Sequence, residues 1–162
     1  MKLFLMRHGD AEDPAPDDIA GDYYRALTMR GRKRIRQMGR AMRDHGVLPD
    51  VIIASPVVRS LQTAEIITSN LDPDEPLIVR RELGLDGDLF ALVRELVHSD
   101  IKSALLVGHE PSLSDFVSSV APPDSWPGAF SRGMVLALRL DPAGKTKLLY
   151  TIDTKSLQPV WL

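Results

Sequence analysis

The chain has no cysteine among its 162 residues. Disulfides, thiolate catalysis and cysteine-ligated zinc are therefore excluded. It also lacks a long apolar run, because Arg7 and His8 interrupt the apolar segment that begins at Met1. That segment is typical of a buried strand rather than of a signal peptide or a membrane span. We therefore expect a cytoplasmic protein with no membrane partner.

A strong excess of one charge is also missing. The formal net charge is −2, which gives no sign of bulk binding to nucleic acid. The length, with 44% apolar residues, is sufficient for one buried core, so we expect a single domain over residues 1–162. Basic residues cluster locally between Arg30 and Arg43. This basic helix 30–43 is either a docking surface for an acidic partner or an ordinary solvated face, and the sequence leaves both open.

Short apolar runs alternate with longer segments of helical periodicity, which is typical of βα units around a parallel sheet. The runs predict strands at 2–7, 51–54, 77–79 and 103–107, and two closing strands at 134–140 and 146–152. The periodic segments predict helices at 29–45, 56–70, 88–98 and 111–120. Together they predict a three-layer α/β/α sandwich with a mostly parallel central sheet.

Three polar groups follow predicted strands, and they lie far apart in the sequence. They are Arg7-His8-Gly9, Ser55-Pro56 and Gly108-His109-Glu110. In open α/β sheets, ligands bind in the crevice outside the carboxyl ends of the strands. The sequence therefore predicts that these groups face one crevice.

The residue types at these positions suit phosphate chemistry. An unprotonated imidazole such as that of His8 is a good nucleophile near neutral pH, and the guanidinium of Arg7 matches phosphate oxygens. Successive strand residues point to opposite faces, so both side chains reach one pocket only if the backbone turns, which Gly9 permits. A chance Arg-His pair at a strand end is the alternative.

The other two groups would add hydrogen-bond donors. Arg59 falls in the first turn of a helix that begins at Pro56, where free N–H groups and the helix dipole favour an anion. A cation there is disfavoured by about 0.3–1 kcal/mol unless an anion joins it. His109, as an imidazolium, would donate to a phosphoryl oxygen in the transition state. The alternatives are an exposed surface arginine and a histidine that only caps its helix.

Histidine pairs at metal-ligand spacing are missing. The sequence has no His-x-x-x-His motif, and Asp13, Asp17 and Asp18 lie in a proline-rich loop without calcium-loop spacing. His45 and His98 fall near predicted helix ends, where a cation suits the dipole. We therefore expect no metal.

Taken together and in order, these motifs resemble those of the histidine phosphatase superfamily, branch 1, which includes cofactor-dependent phosphoglycerate mutases. They are Leu5-Met6-Arg7-His8-Gly9, Leu27-Thr28-Met29-Arg30-Gly31, Ser55-Pro56 with Arg59 and Gln62-Thr63-Ala64, and Gly108-His109. The compact length and the start Arg7-His8-Gly9-Asp10-Ala11 are most similar to the small phosphohistidine phosphatases of the SixA type. The resemblance implies a phosphoglycerate mutase-like fold.

The resemblance also implies a two-step mechanism. His8 would attack phosphorus, and water would then hydrolyse the phosphohistidine enzyme intermediate, with no metal or organic cofactor. Arg7, Arg59 and His109, with Gly9 beside them, would bind the phosphoryl group, phosphate or another oxyanion. Glu82 matches the position of the acid that protonates the leaving group in relatives, although a salt bridge with a nearby arginine is an equally good interpretation.

Only a short stretch, Leu83 to Gly108, separates Glu82 from His109. Relatives that act on small sugar phosphates usually carry a longer lid there. An open pocket suits a phosphorylated side chain of another protein, so the leading hypothesis is a metal-independent phosphatase for phosphohistidine on a phosphorelay or phosphotransfer partner. A small-molecule phosphomonoesterase with the same mechanism and a non-catalytic phosphate-binding module remain alternatives.

Overall fold

A computed structural model describes residues 1–14, 21–73, 76–123, 125–126 and 128–162. The strands within these ranges are β1 Lys2–Arg7, β2 Val51–Ala54, β3 Ile78–Val79, β4 Ser103–Gly108, β5 Val135–Leu140, β6 Thr146–Ile152 and β7 Pro159–Trp161. The helices are α1 Gly21–Tyr24, α2 Met29–Asp44, α3 Val58–Leu71, α4 Leu89–Val97 and α5 Ser112–Val120, with a short 3-10 helix at Arg81–Leu83.

The described strands form one sheet in the order β3-β2-β4-β1-β5-β6-β7. The first four strands in this order are parallel, and β5, β6 and β7 continue the sheet antiparallel. The predicted α/β sandwich is confirmed, and five of the seven described strands, all but β5 and β7, run in the same direction. The edge strand β7, too short for its pattern to predict, adds a third antiparallel pair.

Two apolar clusters cover the two faces of the sheet. On one face, Ile35 and Met38 of α2 and Ile67 of α3 pack on Phe4 and Ile52. The opposite face is covered by α4 and α5, with core residues such as Leu92 and Phe116. Because both faces bury apolar side chains, the sheet is the middle of three layers.

The register of the parallel strands brings their carboxyl ends together. Arg7 of β1 is paired with Gly108 of β4, so the next residues, His8 and His109, leave the sheet side by side. The His8 N–H donates to the Gly108 carbonyl at 3.1 Å. The Ser55 N–H donates to the Val107 carbonyl at 3.0 Å, which places the end of β2 beside the same pair.

Helix boundaries differ from the predictions by small amounts. The third helix begins at Val58 rather than at Pro56, so Arg59 is its second residue and still lies in the first turn. α5 begins at Ser112, one residue after Pro111. The four-residue helix α1 was not predicted, since its sequence lies in a polar segment. Asp17 and Asp18 of the predicted acidic loop lie outside the described residues.

In the described part of the chain, no helix is long and apolar enough to cross a membrane.

Candidate active site

Two buried imidazoles form the centre of the crevice at the ends of β1 and β4. The ring centroids of His8 and His109 are 5.2 Å apart, and the rings are tilted by 55°. His8 is 7% exposed and His109 is 3% exposed. The structure therefore brings the ends of β1 and β4 together, as the sequence predicted.

The hydrogen bonds of His8 leave one ring nitrogen without a proton, and this nitrogen is able to act as a nucleophile. Nδ1 lies 2.7 Å from the Gly9 carbonyl oxygen and donates to it. In a neutral ring, Nε2 then carries the lone pair, and it accepts from Arg59 Nε at 3.1 Å. Burial lowers the pKa of His8 to about 3, although the Gly9 carbonyl opposes that shift. The ring is therefore unprotonated near neutral pH.

Gly9 contributes to the site in a different way from the predicted one. Its backbone does not adopt a positive φ; instead, a Cβ at this position would lie 2.7 Å from Ile35 Cγ1. The Gly9 N–H donates to Thr63 Oγ1 at 3.0 Å. This N–H is therefore engaged by the protein, and the contacts give Gly9 a role in orienting the His8 ring.

A loop between α5 and β5 supports the turn that carries Arg7 and His8. The Gly133 N–H donates to the carbonyls of Arg7, at 3.1 Å, and of His8, at 3.0 Å. Arg7 NH1 donates to the Phe130 carbonyl at 2.8 Å. Arg7 Nε is buried and has no hydrogen-bond partner among the described residues. The loop therefore fixes the Arg7 guanidinium while leaving one buried donor unused.

Arg132, in the same loop, does not donate to either histidine of the centre. It pairs with Asp10, which also accepts from Arg30 NH2 at 2.7 Å. Hydrogen bonding by Arg30 and Arg132 lowers the pKa of the buried Asp10 carboxyl. This network connects the loop and the start of α2 to the segment that follows His8.

Arg59 is held between His8 and a carboxylate. Its side chain is 5% exposed, and its NH2 donates to Asp22 Oδ2 at 3.1 Å. Its NH1 donates to the Asp22 backbone carbonyl at 2.5 Å. Asp22 also accepts from Arg25 at 2.7 Å, and that hydrogen bond lowers the pKa of its carboxyl. An anion thus already occupies the outer edge of the Arg59 fork, as expected for a guanidinium that binds oxyanions.

His109 is held from the side of Nε2, which lies 2.8 Å from Ser55 Oγ and 3.2 Å from Ser60 Oγ. Its other ring nitrogen, Nδ1, is buried and has no hydrogen-bond partner among the described residues. Burial is the main cause that lowers the pKa of His109 to about 4, and the charges of Arg59 and Arg7 contribute to this shift. The ring is therefore neutral near pH 7, and not the imidazolium expected from the sequence.

Glu82, the predicted acid, lies outside this group. Arg80 Nε and NH2 donate to its two oxygens at 3.1 and 2.9 Å, and Arg80 also binds Glu95. Hydrogen bonding by Arg80 lowers the pKa of Glu82 to about 2. Glu82 lines a cavity of about 520 Å³ together with Tyr23 and Pro56, the neighbours of Asp22 and Ser55. It is therefore near the pocket but ionised.

Several contacting residues were missed by sequence reasoning. Thr63 accepts from Gly9, and Gln62 accepts from the Leu27 N–H at 2.8 Å, so both connect α3 to neighbouring segments. The motif Gln62-Thr63-Ala64 was noted, but its contacts were not. Asp22 and Ser60 had no signal in the sequence, because only the tertiary fold brings them to Arg59 and His109.

These groups suit a tetrahedral oxyanion. Within the described ranges, no cluster of three or more His, Asp or Glu side chains could hold a metal ion. The centre instead combines a neutral imidazole whose unprotonated Nε2 accepts from Arg59, two guanidinium groups and a buried second imidazole. Such a set is able to form a bond to phosphorus and to offset the charge of phosphoryl oxygens.

The family of the chain is shown by comparison with known proteins. Residues 3–84 match the model of the histidine phosphatase superfamily (branch 1). This half of the chain includes Arg7, His8, Gly9, Arg59 and Glu82. The chain belongs to this superfamily and is an enzyme of the phosphatase and mutase class.

Individual proteins of known name show which members of the superfamily the chain is similar to. The chain is 29% identical over 147 residues to phosphohistidine phosphatase SixA of Escherichia coli (strain K12), covering 89% of this chain and 88% of that protein. The structure of the protein histidine phosphatase SixA complexed with tungstate matches with a TM-score of 0.84 and 26% identity, over 98% of this chain and 100% of that one. A phosphoglycerate mutase from Plasmodium falciparum shares the fold, with a TM-score of 0.63 and 21% identity over 91% of this chain and 87% of that one.

Proposed function

We propose that this chain removes the phosphoryl group from phosphohistidine on another protein, with His8 as the nucleophile and without a metal ion. One observation carries the proposal. The buried His8 ring lies 5.2 Å from that of His109, and two buried nitrogens, Arg7 Nε and His109 Nδ1, have no hydrogen-bond partner among the described residues. Unpaired buried polar atoms are costly, and a phosphoryl group would supply acceptors for both when both carry a proton.

In the first step, the hydrogen bond from Arg59 Nε to His8 Nε2 opens, and the Nε2 lone pair forms a bond to phosphorus. The P–N bond of the substrate breaks, and its electron pair stays on the departing imidazole, which leaves neutral when its other nitrogen already carries a proton. In the second step, water forms a P–O bond while the His8 Nε2–P bond breaks. One proton of the water passes to solvent or phosphate, so inorganic phosphate and unmodified His8 remain.

The neighbouring groups have distinct proposed roles. Arg7 and Arg59 would hold the phosphoryl oxygens and offset their charge, and His109 would donate one further hydrogen bond. Two guanidinium groups at one oxyanion supply the positive charge that a metal ion supplies elsewhere, which supports a metal-independent reaction. Gly9 would act by fixing the tautomer and orientation of His8 through its carbonyl.

The state of Glu82 bears on the substrate class. With its pKa near 2 and both oxygens bound by Arg80, Glu82 is a poor proton donor at neutral pH. An alkoxide leaving group needs such a donor, whereas imidazole, with a reference pKa near 6.5, needs much less help. This favours phosphohistidine over alkyl phosphate esters, and the name of the Escherichia coli relative agrees with it.

The surroundings of the pocket support a protein substrate. Between Glu82 and His109, the described chain forms only α4 and β4, besides the end of the 3-10 helix. The 520 Å³ cavity beside Tyr23 and Pro56 leaves room for the surface around a phosphorylated side chain. A phosphorelay or phosphotransfer protein in the cytoplasm is the partner we propose.

The test begins with trapping of the intermediate. Labelled phosphohistidine protein mixed with the enzyme should transfer label to the chain in an acid-labile, base-stable form. His8→Ala should abolish trapping and turnover. His98→Ala is the matched control, because His98 is exposed and its ring bonds only to the Arg94 carbonyl among the described residues. Turnover should persist in excess EDTA.

A substrate panel completes the test. Phosphohistidine protein should be hydrolysed at least tenfold faster, as kcat/KM, than sugar phosphates or nucleotides. The reverse order would instead assign a small-molecule phosphomonoesterase. No trapped label and no turnover on any substrate would leave a phosphate-binding module, and loss of turnover in EDTA would contradict metal independence.

A further inference from the structure

Two serine hydroxyls converge on one ring nitrogen of His109. Ser55 Oγ lies 2.8 Å from Nε2, and Ser60 Oγ lies 3.2 Å from the same atom. Both serines are fully buried, and His109 is 3% exposed. They come from different elements, since Ser55 follows β2 and Ser60 is in the first turn of α3. The convergence is therefore a product of the tertiary fold.

The hydroxyl protons of the two serines indicate the direction of these hydrogen bonds. Ser55 Oγ accepts from the Val57 N–H at 3.2 Å, which leaves it one lone pair and one proton. A protonated His109 Nε2 would leave the buried hydroxyl protons of Ser55 and Ser60 without a side-chain acceptor among the described residues. An unprotonated Nε2 accepts from Ser55 at 2.8 Å, which favours this direction. Ser60, which has no other described side-chain hydrogen bond, is placed to share that acceptor.

We propose that Ser55 and Ser60 are positioning residues that fix the tautomer of His109, so that its single proton is on Nδ1 and serves as the donor to the phosphoryl group. This inference rests on the proposed role of His109 in binding the oxyanion. It assigns no contact between either serine and the substrate.

The tautomer matters because a neutral imidazole has only one N–H. Burial keeps His109 neutral at pH 7, since it lowers the pKa to about 4. With the proton on Nδ1, the buried nitrogen that has no described partner is a donor, which an oxyanion satisfies. With the proton on Nε2, the same position would present a lone pair to a negatively charged oxygen, which is repulsive.

The first measurement uses the unmodified protein. Long-range proton–nitrogen correlation spectra of the histidine rings at pH 7 separate protonated from unprotonated ring nitrogens. We expect His109 to show a protonated Nδ1 and an unprotonated Nε2, with assignment by His109→Gln. A protonated Nε2 would overturn the proposal, and this result requires neither activity nor a folded serine variant.

The second measurement uses the variant Ser55→Ala/Ser60→Ala. We expect mixed His109 tautomers and a loss of tungstate affinity of roughly 10- to 100-fold, as for other outer partners that orient a binding histidine. Ser60→Ala alone should give a smaller loss. Ser69→Ala is the matched control in the same helix. Ser69 is exposed, and among the described residues its hydroxyl bonds only to the Glu65 carbonyl.

The outcomes separate this inference from the proposed function. Protonated Nδ1 with weakened tungstate binding in the double variant supports the serine role, even if no phosphohistidine protein is hydrolysed. An unchanged tautomer or unchanged tungstate affinity in a folded double variant would overturn it, even if phosphohistidine turnover is found.

Discussion

Two arginine–carboxylate pairs lie near the pocket, and they differ in what their arginine touches. Arg59 binds Asp22 and also donates to His8 Nε2 at 3.1 Å. Arg80 binds Glu82 and Glu95, and it has no described contact with either buried histidine. The Arg59–Asp22 pair therefore includes a residue of the proposed active site. The pairs of Arg80 with Glu82 and Glu95 do not contact the two histidines of that site.

The difference indicates which carboxylate must yield to the substrate. A phosphoryl group on Arg59 competes with Asp22 for the same guanidinium, so the Asp22 pair is expected to open when an oxyanion binds. The Glu82 pair does not share a donor with the oxyanion and is expected to persist. The Arg59–Asp22 pair should thus affect the affinity for an oxyanion, and the Arg80–Glu82 pair should chiefly affect local stability.

The largest expected effect comes from removing the shared cation. Arg59→Ala should lower kcat/KM for phosphohistidine protein by about 10²- to 10³-fold, because a positioned charge at the phosphoryl oxygens is lost. Arg36→Ala, an exposed position of α2, should stay within about twofold of wild type, as usual for isolated surface changes. A loss of less than tenfold in Arg59→Ala would show that this guanidinium does not act on the transition state.

A moderate effect is expected from removing the competitor. Asp22→Asn should tighten tungstate binding by about threefold to tenfold, a change of roughly 0.7–1.4 kcal/mol by the relation of affinity to free energy. Calorimetric titration measures it directly. Asp44→Asn, at the end of α2, is the control and should not change the affinity. Weaker tungstate binding in Asp22→Asn would mean that Asp22 supports the oxyanion site rather than competing with it.

A small effect is expected from Glu82. Glu82→Gln should change phosphohistidine turnover by less than about twofold, because an ionised carboxylate at neutral pH supplies no proton. Parallel rates on an alkyl phosphate ester are the comparison. If Glu82→Gln slowed ester hydrolysis tenfold or more, Glu82 would be acting as an acid in spite of Arg80.

The smallest effect concerns stability. The folded-state pKa of Glu82, about 2, lies below the unfolded value, so its contribution is present at neutral pH and is lost as pH falls toward 2. Arg80→Met should therefore reduce the acid dependence of the unfolding free energy between pH 4 and 2, by at most about 1 kcal/mol for a partly exposed pair. Urea denaturation at several pH values measures it. An unchanged dependence would show that the pair does not persist in solution.

Much of the fold could be predicted from the sequence, because periodicity and strand ends are local signals. The apolar runs at β1, β2 and β4 predicted buried strands, and the polar groups that follow them predicted one crevice. Thr28, a residue type that favours helix N-caps, does cap α2, and its hydroxyl accepts from the Gly31 N–H at 2.8 Å. The elements α1 and β7 were missed, since four and three residues give no measurable periodicity.

The candidate site was predicted less completely than the fold, for physical reasons. Residue type and position relative to the strand ends were enough to predict that His8, Arg59 and His109 lie at one site. They were not enough to show that Gly9 is needed for close packing with Ile35, or that Arg80 holds Glu82 ionised. Those properties depend on side chains that meet only through the tertiary fold.

The most direct measurement is a crystal structure of this protein with tungstate bound. We expect the central atom of the oxyanion to face the His8 Nε2 lone pair, with its oxygens at hydrogen-bond distance from Arg7, Arg59 and His109 Nδ1 and with Asp22 moved away from the Arg59 guanidinium. Tungstate found at another site, or bound while Arg59 still holds Asp22 and His109 faces it with an unprotonated nitrogen, would contradict the proposed pocket.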